Sequence, residues 1–451
     1  DTEVILEGYR AWDVGILRRL RGMFAIALHD GARGRLVLAR DRIGKKPLVY
    51  AALGDLLLFA SEIKGVLAWP DVQRRPDWSA IHDYLTFQYV PAPRTAFQGI
   101  TKLAPGHLLV VDRERGPRIE SYVSRPQPCA APSRPSSELA LELVDRLREA
   151  TRLRLAADVP LGAFLSGGVD SSAVVAMMAI ESGRPVKTFT IGFEEQSYDE
   201  RPFARAVAER YRTDHQELVI RPDAMAVLPS IVWHYGEPFA DSSAIPTYYV
   251  SEIARRSVTV ALNGDGGDEG FLGYQRYAAF ASKRARVIAG SAGRELVAAT
   301  INRLPGSVRR AHGIAAIWRQ LERPSDWPSR DYEQYIAYFS DAAKADIYGP
   351  HLAEHLARSS LGGLDRYLRA TPEPAGAAAW ADIHTYLPDD LLVKVDIASM
   401  AHGLECRSPL LDQDLIEWAT TLPSEARLSG GETKSLLKLA MEPFLPCALL
   451  Y

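Results

Sequence analysis

Two glycine- and acid-rich turns, each entered from a run of apolar residues, leave few folds open to this chain. Ser166-Gly167-Gly168-Val169-Asp170-Ser171-Ser172 stands between LGAFL and the helix-like AVVAMMA, and Asn263-Gly264-Asp265-Gly266-Gly267-Asp268-Glu269 follows VTVAL. A run apolar at every position predicts a strand covered on both faces, as in a parallel sheet. A strand, a glycine-rich turn and a helix start make an anion site, because backbone N–H groups can approach phosphate oxygens and the helix N-terminus adds positive potential. Ser171 and Ser172 suit the helix cap and can donate hydroxyls. Asp170 would repel phosphate unless it reaches a Mg²⁺ that bridges the phosphates. Three acids within five residues at the second turn likewise call for a cation. Ligands of open α/β sheets bind outside the carboxyl ends of the strands. The two turns are therefore expected at one edge, with Asp170 and Asp268 converging on one Mg²⁺ and Asp265 free for another role. No Lys follows the glycines, so this is not the GxxxxGK[ST] nucleotide loop.

The rest of the 451 residues divides around these turns. From about residue 20 to 125, short Val-, Leu-, Ile- and Phe-rich runs (MFAIALHD, GRLVLARD, LVYAALGDLLLFAS, GHLLVVD) are separated by Asp30-Gly31 and Gly54-Asp55, the pattern of antiparallel hairpins. Residues 124–137 (SRPQPCAAPSRPSS) read as a linker. Helices and strands then alternate (LALELVDRLREATRLRL, the 166–172 turn, AVVAMMAIESG, VKTFTIGF, RPFARAVAERY, IPTYYVSEIARR, SVTVAL), which predicts βαβ units. From about residue 275 the chain reads mostly helical. The formal charge of -3 speaks against a mainly electrostatic nucleic-acid or membrane binder. Apolar stretches such as 173–180 fall short of the ~20 residues that span a bilayer. Three cysteines, Cys129, Cys406 and Cys447, form neither CxxC nor a disulfide framework, the usage expected of a cytoplasmic protein. The chain opens on Asp1, with Val4, Ile5 and Tyr9 at helical spacing, and closes on LPCALLY, so a fragment of a longer protein is expected.

SGGVDSS and NGDGGDEGFLGY, with EPFADSSAIPTYYV between them, resemble the synthetase domain of glutamine-dependent asparagine synthetases. LLVKVDIASMAHGLECRSPLLD fits the same family, and RDRIGKKPLVY with FASEIK fits its glutaminase domain. The resemblance implies an α/β protein: a partial Ntn-hydrolase-type glutaminase domain with antiparallel sheets (1–123), the linker, and a parallel-sheet ATP pyrophosphatase domain with a helical C-terminal part (138–451). It implies a ligase that adenylates aspartate with ATP and Mg²⁺ to β-aspartyl-AMP and pyrophosphate, then lets ammonia from glutamine displace AMP. By the resemblance, residues 166–172 hold pyrophosphate, Asp170 and Asp268 bind Mg²⁺, Phe164 and Ile191 contact adenosine, Asn263 (usually Ser) and Gly264 contact ATP, and Asp265 serves adenylate formation. Asp389 or Asp390 is its expected partner. Asp1 matches a glutamine-binding residue. The glutaminase Cys nucleophile and a catalytic Lys of an RxKxGF-type motif would stand before Asp1 and after Tyr451. Neither Lys434 nor Lys438 matches that motif, and at i and i+4 they read as a solvated helix face. Partners are small molecules, and a homodimer is compatible with all of this.

Several residues carry a blander expectation. His215 and His234 have no Cys or His at ligand spacing. Asp41 and Arg42 are expected to pair in the first domain, and Glu405 with Arg407 in the second. Glu237, Asp241, Ser242 and Ser243 read equally as an aspartate pocket or a capped helix start. Rival readings are amidation or lactam closure of another carboxylate, and nucleotide binding without turnover. A tRNA-modifying pyrophosphatase lacks support from a basic face or paired cysteines.

Overall fold

The computed structural model describes residues 2–112, 116–124, 134–192, 200–219, 224–289 and 328–451. Asp1, Cys129 and most of the expected linker lie outside the described residues; the helix that follows begins at Ser136.

The hairpin-like runs of the first part form seven strands: β1 (Ala25–Asp30), β2 (Arg35–Arg40), β3 (Val49–Leu53), β4 (Leu56–Ala60), β5 (Thr101–Lys102), β6 (His107–Asp112) and β7 (Gly116–Ser121). They make two antiparallel sheets, ordered β1-β2-β6-β7 and β4-β3-β5. The turns at Asp30-Gly31 and Gly54-Asp55 join β1 to β2 and β3 to β4 as expected. Helix Thr2–Trp12 packs on the first sheet through Ile5 and Tyr9, and helix Ile63–Leu67 on the second through Ile63 and Val66, whereas helix Trp78–Phe87 ends with Phe87 in an apolar cluster of the second part.

The second part is built on five parallel strands: β8 (Leu161–Phe164), β9 (Lys187–Gly192), β10 (Asp214–Val219), β11 (Val260–Leu262) and β12 (Glu405–Arg407), in the order β10-β9-β8-β11-β12. The mixed architecture, antiparallel sheets followed by a parallel sheet, is the expected fold class. Chain order runs outward from β8 to one edge and then resumes at β11, so the switch point lies between β8 and β11. An open sheet forms its ligand crevice at such a point. Both acid-bearing turns leave from these two neighbouring strands.

Helix Val169–Ser182 is buried on nearly every face, with Val174, Val175, Ala176 and Met177 fully enclosed. Each enclosed Val or Met contributes ~1.5–3 kcal/mol of burial free energy. Helix Ser136–Arg154 lies over it through Leu143, Leu147 and Ala150. The short helix Ser435–Met441 is drawn onto the same core by Leu436, Leu437 and Met441. That packing fixes where Lys434, the residue before it, must sit.

The two parts meet over an extended interface. Ile43 enters an apolar cluster with Ile383, Leu387, Leu411 and Ile416. Arg21 reaches Asp412 (2.7 Å), Lys46 reaches Asp396 (2.5 Å), and Lys102 reaches Glu237 (2.7 Å). Glu237 also accepts the Ala96 N–H, which places it in this interface rather than at the acceptor side. The Asp41 carboxylate is taken up by backbone N–H groups of residues 43–46, while Arg42 extends to Glu417, so the expected pairing gives way to a loop clasp.

Candidate active site

The first turn departs from β8 with Gly167 at φ +93°, where an added Cβ would stand 2.7 Å from the Glu200 carbonyl oxygen. Only glycine takes that conformation without strain. The Ser171 hydroxyl closes the turn by accepting the Ser166 N–H (3.2 Å) and lying 3.0 Å from Ser166 Oγ. Residues 166–168 therefore arch over the start of helix Val169–Ser182 in an anion-binding geometry. Phe164 and Ile191 stand near the carboxyl ends of the adjacent strands β8 and β9, beside this turn.

The second turn presses against the first. A Cβ on Gly264 would come within 2.8 Å of Asp170 Cβ and Ser171 N, and one on Gly267 within 2.3 Å of Asp170 Cγ. The sequence-predicted residues 166–172 and 263–268 thus meet at one place. Joining them is a residue that periodicity set aside. Lys434 Nζ lies 2.6 Å from Asp170 Oδ2 and 2.8 Å from Asp268 Oδ1. It is not on a helix face but caps the next helix at φ +55°, with its side chain 14% exposed. Lys438 instead pairs with Glu432. Burial pushes the Asp170 carboxyl up to about 6 despite Lys434, and Lys434 itself is held above the usual lysine value by the two carboxylates, although burial works against its charge.

Among the described residues, Asp170 Oδ1 is buried without a hydrogen-bond partner. Hard carboxylate oxygens and an unfilled acceptor suit Mg²⁺, which is typically held by one or two carboxylates together with substrate phosphates. Among the described residues no three acidic, His or Cys side chains form a complete metal cage.

Asp265 turns the other way. Its Oδ2 accepts from Asn263 Nδ2 at 2.7 Å and lies 3.5 Å from Ser408 Oγ. Burial raises its carboxyl, and Lys45 and then Lys394 oppose that rise. Both amide atoms of Asn263 are engaged within the protein, since Ser408 donates to Oδ1. The two candidate acidic partners have contacts of their own, and Asp390 shares the influence of Lys394 with Asp265. Asp389 accepts the Ala92 N–H (2.8 Å), and Asp390 stands on a π-helical turn (Leu387–Leu391) with its carboxyl raised to about 8 by burial and then by Asp241. Asp241 binds Lys394 (2.9 Å) and Ser243. Asp241, Ser242, Ser243, Asp390, Lys394 and Tyr274 line a cavity of about 420 Å³ that also presents Tyr335, Tyr338 and Tyr386. Tyr274 donates to Glu269 (2.8 Å), one residue from Asp268, so the cavity abuts the two-turn site.

The remaining expectations resolve simply. Glu405 and Arg407 pair at 2.6 Å. His215 bonds Thr188 and Glu217, and His234 lies 3.5 Å from Lys64. Lys434 is expected on a solvated face and is instead buried in the site, and Lys45, Lys394 and Ser408 carry no sequence expectation, because nothing local separates a buried lysine or serine from a solvated one. Among the described residues no helix is long and apolar enough to cross a membrane.

Comparison with known proteins bears on this geometry. The asparagine synthase family model matches residues 142–451, and the glutamine amidotransferase domain model matches residues 1–123. Glutamine-hydrolyzing asparagine synthetase 1 of Bacillus subtilis is 32% identical, over 99% of this chain and 69% of that protein. Synthetase 3 of the same organism is 28% identical, over 100% and 69%. The amidase chry2 of Gibberella zeae is 26% identical, over 99% and 70%.

Proposed function

The chain belongs to the asparagine synthetase family, and from that footing we propose that it carries out ATP-dependent amidation of aspartate through a β-aspartyl adenylate, with ammonia drawn from glutamine. The observation that carries this reading is the contact between the turns at 166–172 and 263–268, with Asp170, Asp268 and Lys434 gathered at the switch point of the parallel sheet.

A carboxylate oxygen is a poor leaving group, and transfer to the α-phosphorus of ATP makes it a good one. The N–H groups of the 166–172 turn hold the departing pyrophosphate, and the Lys434 ammonium adds a positive charge there. Phe164 and Ile191 flank adenosine, and Gly264 permits close approach of the nucleotide. Asp170 and Asp268 would hold Mg²⁺, which would supply charge neutralisation at the phosphates. Asp265, kept apart from those oxygens by its bonds to Asn263 and Ser408, serves adenylate formation. In the first domain, Asp1 binds the amino-acid part of glutamine. The acceptor enters the cavity beside Tyr274, where Asp241 suits an ammonium group and Lys394 suits a carboxylate.

One observation favours a second acceptor class. Cavities of ~300–1,000 Å³ accommodate ligands up to drug size, and this one is about 420 Å³ and walled by five tyrosines, Tyr89 among them, which also suits a carboxylate on a larger, partly apolar body. The deciding experiment is carboxylate-dependent pyrophosphate release with ammonia and MgATP, screening aspartate against bulkier carboxylic acids. Release matched one-to-one by amide supports the reading, and the best substrate identifies the acceptor. ATP turnover to ADP, or none with any carboxylate, overturns it.

A further inference from the structure

Lys45 and Lys46 leave the first domain side by side and end differently. Lys46 forms an ion pair with Asp396. Lys45 crosses the domain interface to donate from Nζ to Ser408 Oγ at 2.5 Å. Ser408 donates in turn to Asn263 Oδ1, and Asn263 Nδ2 donates to Asp265 Oδ2 at 2.7 Å. Lys45, Ser408 and Asn263 are all buried. The lysine is aimed from a rigid support, because Asp41 Oδ1 accepts the N–H groups of Ile43, Gly44 and Lys45 itself.

The ammonium has a hydroxyl, not a carboxylate, at hydrogen-bond distance. The charged and titratable groups that face it are Asp265, Cys406, Arg154 and Lys46, with Asp396, the partner of Lys46, also within electrostatic reach. Enclosing a charge this way lowers stability relative to an apolar side chain of similar size. Burial accordingly brings Lys45 down to about 8, with Asp265 resisting the fall. A lysine present only to fill the interface would be replaceable by methionine without loss.

We infer that Lys45 is a positioning residue for the adenylation step: from the first domain, through Ser408 and Asn263, it sets the side chain of Asp265 in the synthetase site. The docked two-domain protein, and not the second domain alone, then presents Asp265 in its working geometry. This rests on the role given to Asp265 above.

The test is carboxylate-dependent pyrophosphate release by the intact protein with ammonia as donor, so that glutamine hydrolysis does not enter. Lys45→Met is expected to lower kcat about 10- to 100-fold, the scale of a misplaced reacting group, while KM for ATP stays within about twofold and the thermal midpoint does not fall. Ser408→Ala should match it, and the double variant should be no worse than either. Lys45→Arg, whose guanidinium keeps its proton, should recover part of kcat and extend activity to higher pH, since the wild-type rate should decline as Lys45 deprotonates above about 8. Wild-type kcat in Lys45→Met overturns the inference, as does a loss that follows the thermal midpoint and is not relieved by arginine. A wild-type protein that releases no pyrophosphate with any carboxylate overturns the adenylation reading and this inference together.

Discussion

Lys434 shows how much one side chain decides here. Its ammonium lies between two carboxylates at the place where the nucleotide's phosphates are proposed to sit. Lys434→Met should reduce pyrophosphate release at saturating Mg²⁺ by at least ~100-fold, in line with loss of one preorganised charge at a transition state, and steady-state kinetics will measure it. Asp390 makes a complementary case. Its carboxyl is buried, one oxygen lacks a hydrogen-bond partner, and its value is raised from 3.8 to about 8. Between those values the folded protein holds a proton that the unfolded chain has released, so stability declines as pH rises through the window. Asp390→Asn, which cannot ionise, should therefore gain little in thermal midpoint at pH 4.5 and a few degrees by pH 8.5, as followed by melting curves. No rise at high pH would show that Asp390 is ionised without penalty.

At the scale of elements, the site exists because two turns touch. Gly267→Ala puts a methyl 2.3 Å from Asp170 Cγ, so the Asp170 carboxylate is driven from its place against Lys434. That variant should lose pyrophosphate release by at least ~100-fold and be destabilised by about 1–3 kcal/mol. Gly362→Ala, with open space at the Cβ position, should behave as wild type in the same assay and in urea titration. Most elements around these turns are legible from residue pattern alone: the Asp30-Gly31 and Gly54-Asp55 hairpins, the apolar strand β11 and the helix after Gly168 all follow from local chemistry. β10 and β12 do not. Asp214–Val219 mixes charged and apolar residues, and Glu405–Arg407 is three residues long within a stretch that reads as helical. Each becomes a strand only because a neighbour offers a free edge. Lys434 escapes for a related reason: its spacing from Lys438 mimics a helix face, and only the packing of Leu436 and Leu437 reveals that it begins the helix and points inward.

Across the whole molecule, Asp412 ties the domains together. It is enclosed, caps helix Gln413–Thr421 through the Asp414 N–H, and binds Arg21 of the first domain and Arg154 of the second at 2.7 and 2.8 Å. Asp412→Ala would leave the mostly buried Arg154 without its carboxylate, while Arg21 keeps Asp414, and should destabilise the protein by about 3–5 kcal/mol. Arg21→Ala, whose side chain is one-third exposed, should cost about 1 kcal/mol or less. Equal losses in chemical denaturation would refute this asymmetry. The sheet itself has a temporal consequence. Its last strand follows β11 by more than a hundred residues, and Lys434 is 264 positions beyond the carboxylate it meets. Domains form from the N-terminus as a polypeptide emerges from the ribosome, so a nascent chain carries its first glycine turn long before the lysine that completes it. Under the proposed function, translation completes the two-turn site only after Lys434 has emerged, so a shorter nascent chain lacks one of the charges proposed to grip the nucleotide.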